Sequence, residues 1–118
     1  MTDLIFHIAT REAWDGACAA GSYTADSLRT EGFIHCSQAD QVAWVVNSRF
    51  RGRTDLVLLH VDEARVGAEV RRENLEGGVW LFPHIYGALP IEAVRQVTSL
   101  VPAADGTFDL DAATLGRG

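Results

Sequence analysis

Six residues carry most of the chemical potential of this chain: His7, His35, His84, Ser37, Glu73 and Tyr86. Each histidine sits in an apolar setting, in Leu4-Ile5-Phe6-His7, in Gly32-Phe33-Ile34-His35-Cys36-Ser37 and in Phe82-Pro83-His84-Ile85-Tyr86. A charged imidazole there is costly without a partner, so each is either neutral and hydrogen-bonded or part of a site. The two hydroxyls and the carboxylate can hold a ribose, meet a carbonyl or carry a proton. Chain order alone does not bring the six together.

The stretch from Gly32 to Ser37 reads as a turn glycine, a short strand and a serine suited to cap a helix. In strand geometry Phe33, His35 and Ser37 share one face, and Ile34 and Cys36 share the other. A mixed face of ring, imidazole and hydroxyl suits the floor of a ligand pocket. It equally suits a small core in which His35 hydrogen-bonds a neighbour.

Other chemistries fit less well. Two histidines with Glu73 would make a two-His, one-carboxylate set, but no HxH or HxxxH spacing supports it, so no metal is expected. His35 and Cys36 are adjacent and point to opposite faces, which argues against a Cys–His nucleophile pair. Cys18 and Cys36 form no CxxC, and Cys36 reads as a small core residue. There is no glycine-rich phosphate loop of the Walker or Rossmann kind. All ten basic residues are arginine, so a lysine Schiff base is excluded.

The elements that must position these residues follow from hydrophobic patterning. Residues 4–9 read as a central strand, followed by a helix over 11–20 capped by Thr10, with Trp14, Ala17 and Cys18 on one stripe and Gly21 at its end. Residues 22–31 read as a loop with one helical turn. Ser37 and Asp40 predict a helix over about 38–50 that buries Val42, Val45, Val46 and Phe50 and leaves Trp44 off the stripe. Residues 55–61 read as a strand buried on both faces, with His60 at its rim. A strand over 70–73, a loop over 74–78 and a strand over 79–82 come next. Residues 83–90 read as a rigid loop bracketed by two prolines, presenting His84 and Tyr86. A turn and a long strand fill 91–101.

At 118 residues and 47% apolar content, one folded domain is expected over 1–118, with its core at about 4–101 and a tail at 102–118. No apolar run reaches the ~20 residues that cross a membrane, and Asp3 stands where a signal peptide would be basic, so the chain reads as cytoplasmic. A net charge of −6 opposes nonspecific binding of nucleic acid. Arg49, Arg51 and Arg53 could meet one anionic group, or simply suit the negative end of a helix.

The Ile-Phe-His start, GFIHCS, the Asp-Leu-Val-Leu-Leu strand and Phe-Pro-His-Ile-Tyr-Gly-Ala-Leu-Pro together resemble the domain-of-unknown-function family 952 over roughly 4–101. That family in turn resembles the ADP-ribosyltransferase superfamily, above all the NAD-dependent RNA 2′-phosphotransferases. The shared features are a strand ending in histidine, a second ending in His-x-Ser, and a later segment like Gly78-Val79-Trp80-Leu81.

The resemblance implies an α+β fold of two small, mostly antiparallel sheets around a cleft with flanking helices. It also implies NAD or a related nucleotide as ligand. In that scheme Glu73 and His35 are catalytic, and His7, Ser37, His84 and Tyr86 bind the cofactor. The sequence departs from the phosphotransferases at Ile8-Ala9, where Gly-Thr is usual, and at Glu31, where an arginine is expected. RNA is therefore not an expected substrate, and oligomeric state is open. The alternatives are a non-catalytic binding module on the same fold and a metal-dependent enzyme using His7, His35 and His84.

Overall fold

The computed structural model describes residues 4–74, 78, 80–111 and 115. Its centre is the run Leu56–Asp62 (β4), buried at every position as its unbroken apolar sequence requires. On one side β4 pairs antiparallel with Leu4–Thr10 (β1), and on the other with Val94–Leu100 (β8). Thr10 then caps Arg11–Ala20 (α1) by accepting the Ala13 N–H, and Gly21 closes that helix at a φ of 92°. Trp14 and Ala17 of α1 face the core, whereas Cys18 is exposed and leaves the predicted stripe.

Two further sheets surround this one. Ser22–Tyr23 (β2) pairs with Leu89–Pro90 (β7), after which Asp26–Thr30 forms a short helix (α2). Ile34–His35 (β3), Phe82–Tyr86 (β6) and Glu69–Glu73 (β5) make an antiparallel sheet with β6 in the middle. The architecture is thus α+β, with three antiparallel sheets instead of two. The third is small because Gly21 and the Gly87-Ala88 turn leave only two residues to pair on each side.

β6 corrects the expected loop at 83–90. The two prolines suggest a rigid loop, yet the Pro83 carbonyl accepts the Cys36 N–H at 3.0 Å. Its missing donor therefore falls on the side where β3 has already ended, which a sheet tolerates. The expected strand at 79–82 survives only at Phe82; Val79 and residues 75–77 of the expected loop lie outside the described residues.

A second correction concerns Ser37. It caps no helix, because its backbone exchanges hydrogen bonds with Phe6, Phe6 N–H to Ser37 O at 2.8 Å and Ser37 N–H to Phe6 O at 2.7 Å. With its backbone held as a bridge, Ser37 cannot begin the helical turn. Gln41 takes over locally, its side-chain oxygen receiving the Gln38 N–H, and the helix runs only over Val42–Arg49 (α3).

The central sheet separates two apolar clusters. Ile5, Val57, Leu59 and Val61 face α1, Tyr23, Ile34, Ile85 and Leu89. Phe6, Leu56, Leu58 and Leu100 face Val42 and Val46 of α3 and also Phe108. Phe108 shows that the segment after β8 belongs to the packing, for Asn47 of α3 grips it with both amide groups. His60 lies on this face too, buried against the edge of Phe6 and bonded to Thr98, so it is no rim residue.

Candidate functional site

β1 is an edge strand of the central sheet, and its outer edge meets residues 35–37 through the single Phe6–Ser37 bridge. Backbone groups alternate along an antiparallel strand, so Ile8, two residues beyond Phe6, turns its N–H and C=O to the same outer edge. A cavity of about 200 Å³ opens there. Phe6, Ile8, Val45, Phe50 and Phe82 supply apolar walls, and His7, Ser27, His35, Ser37 and Arg49 supply polar groups.

His7 reaches this region from the covered face of β1. A carbonyl can only accept, so His7 Nδ1 carries the proton and donates to His35 O at 2.5 Å. Its Nε2 then accepts from the Tyr23 hydroxyl at 2.8 Å. Burial depresses the imidazole to about 4, against the opposing pull of the His35 carbonyl. Burial likewise raises the Tyr23 phenol to about 12. The pair is therefore neutral across the physiological range.

Cys36 is also buried, which pushes its thiol up and leaves it unreactive. This agrees with a core role.

The remaining predicted residues gather on the β5–β6 sheet. Glu73 Oε1 accepts from His84 Nδ1 at 2.9 Å and from the Tyr86 hydroxyl at 2.5 Å. The Tyr86 hydroxyl, and after it His84, hold the Glu73 carboxyl below its ordinary range. The same bond to Glu73 raises the Tyr86 phenol, and the Arg71 guanidinium lies 4.4 Å over the Tyr86 ring.

His84 is fully buried, stacked on Phe33 with ring centroids 4.1 Å apart, and His35 meets it edge-on at 5.3 Å. His35 therefore joins the two regions. Its carbonyl holds His7, while its ring meets both Phe33 and His84 edge-on and bonds Glu31 at 3.1 Å on the surface.

Of the six residues singled out by sequence, His7, His35 and Ser37 line the cavity, whereas Glu73, His84 and Tyr86 do not. Arg49, read from sequence only as one of three arginines that could meet an anion, lines it too, whereas Tyr23 and Ser27 were not singled out. Tyr23 arrives on a two-residue strand with no periodic signal, and Ser27 on a five-residue helix. Among the described residues, no group of three His, Cys, Asp or Glu side chains is arranged to hold a metal ion.

This small α+β fold is one that other chains share. The description "Protein of unknown function (DUF952)" matches residues 8–97, and the chain belongs to that family. The crystal structure of protein CC0527 from Caulobacter crescentus is similar, at 34% identity and a TM-score of 0.84, covering 94% of this chain and 97% of that one. The solution structure of CC0527 gives 35% identity and a TM-score of 0.78, covering 88% and 90%. No curated protein matches the sequence. Neither the family match nor these structures carries a likeness to ADP-ribosyltransferases. No helix among the described residues is long and apolar enough to cross a membrane.

Proposed function

We propose that this chain binds a small molecule by taking one ring of it into the cavity beside β1, with NAD or a related nucleotide as the ligand class. The observation that carries this reading is the meeting of apolar walls with the outward N–H and C=O of Ile8. A paired donor and acceptor on a strand edge suits a carboxamide or the edge of a base. The volume of about 200 Å³ is a ring's worth of space. Drug-sized ligands use roughly 300 Å³ or more, so the rest of a dinucleotide would lie along the rim.

As an enzyme, the protein would transfer an ADP-ribosyl group, releasing nicotinamide through an oxocarbenium-like centre that His35 and Glu73 help to stabilise. One observation favours the alternative of a binding module without catalysis. Glu73 is committed to His84 and Tyr86 and stands outside the cavity.

Calorimetric titration of the metal-free protein with NAD, ADP-ribose and nicotinamide tests the site. Saturable binding is expected, and Val45→Phe, which fills the cavity from α3, should weaken it by about tenfold or more. Absence of binding at millimolar ligand would sink the nucleotide reading. Where binding is found, an assay for nicotinamide release separates the enzyme from the module.

A further inference from the structure

We infer that the ligand of this cavity carries an anionic group, a carboxylate or a phosphate, which the Arg49 guanidinium receives at the mouth. The inference rests on the cavity being a binding site. Three arginines follow one another at alternate positions around the end of α3, and the structure separates their roles. Arg53 forks onto the Asp55 carboxylate at 2.9 and 2.7 Å. Arg51 reaches the Asp105 carbonyl. Arg49 lines the cavity and makes no hydrogen bond or ion pair among the described residues.

The other arginines among the described residues all have partners. Arg11 bonds Ser99, Arg29 pairs with Asp26, Arg65 and Arg95 with Asp62, Arg71 with Glu69, and Arg72 with Glu63. In a chain of net charge −6, acidic partners are abundant, so one open guanidinium stands out.

A cation suits the last turn of a helix, which accounts for an arginine at this end of α3. That does not account for its opening onto a cavity while its two neighbours are tied down. Among the described residues, the cavity lining contains no aspartate or glutamate. No carboxylate among the described lining residues competes for the guanidinium, and the apolar walls strengthen its attraction for an entering anion. A guanidinium takes carboxylate or phosphate through two parallel hydrogen bonds. The ligand is then a ring inside with a negative group outside.

Two matched pairs test the assignment by calorimetry. Nicotinate against nicotinamide places a carboxylate directly on the ring, and nicotinamide mononucleotide against nicotinamide riboside places a phosphate a pentose away. In one of the pairs the charged member is expected to bind about tenfold tighter to the unaltered protein. Arg49→Gln should abolish that preference and Arg49→Lys restore part of it, with thermal stability little changed because the side chain is exposed.

Which pair responds identifies the anion. Equal binding within both pairs, or a preference that survives Arg49→Gln, overturns the role of Arg49. Binding that Val45→Phe blocks without any charge preference overturns that role alone. If none of the four compounds binds, the cavity reading falls and this inference with it.

Discussion

The molecule builds two pairings of a phenol with an imidazole and gives them opposite electrostatic characters. In Tyr23–His7 the two groups share one hydrogen bond away from water, and burial keeps the imidazole uncharged. In Tyr86–His84 the two groups never meet directly, because the Glu73 carboxylate stands between them and accepts from each. Burial decides the first case and a fixed charge the second. The wall of the cavity is thereby kept neutral, while the neighbouring sheet is locked by an ionised group. The Arg49 guanidinium remains as a charged group in the cavity lining.

The hardest blow to this contrast is His84→Ala. It removes a fully buried ring stacked on Phe33 and deprives Glu73 of a donor. A loss of about 3 kcal/mol in chemical denaturation is expected, the size seen when large buried rings are truncated. A loss well under about 1 kcal/mol would mean that the β5–β6 cluster is not a fixed unit.

Acid separates the two regions by pH window. His7 has its folded value depressed from 6.5 to about 4, so the unfolded chain takes up the proton first. Stability from neutral His7 is complete above pH 6.5, declines as pH falls toward 4, and amounts to about 3 kcal/mol. His60, also depressed by burial, acts in the same direction. Glu73 is a depressed acid, so its contribution is complete above the ordinary carboxylate value and disappears as pH falls through its lower folded value. Denaturation curves between pH 7 and pH 4 should flatten in His7→Gln and keep their slope in Glu73→Gln. Equal slopes in the two variants would dissolve the contrast.

Much of this was legible in the chain. Buried β4, the Thr10 cap and the Gly21 stop all announce themselves, because local rules and tertiary packing agree there. The shared face of Phe33 and His35 was also readable, and the two rings do touch. What escaped depended on contacts distant in sequence. Ser37 looks like a helix cap until Phe6 captures its backbone, and Pro83 looks like the start of a rigid loop until its carbonyl finds Cys36. The gathering of Glu73, His84 and Tyr86 follows from the β5–β6 register, in which Glu69 faces Tyr86 and Glu73 faces Phe82. No local pattern fixes that register. Arg49 resembled its neighbours in sequence and differs from them only in what lies within reach.

The finest test exchanges one oxygen in each pairing. Tyr23→Phe leaves His7 Nε2 buried without its donor, which should reduce stability by about 1 kcal/mol. It also removes a bond that favours the uncharged ring, so the His7 value should rise from about 4, visible in imidazole nitrogen shifts by NMR. Tyr86→Phe acts on a charge instead. The Tyr86 hydroxyl is the first cause of the low Glu73 value, so its loss should let that carboxyl climb toward the ordinary range while His84 still donates to it. The two substitutions are chemically identical, yet each raises a different group, a base in one place and an acid in the other. A Tyr86→Phe variant that moved His7, or a Tyr23→Phe variant that moved Glu73, would show that His35 couples the two regions into a single titrating unit.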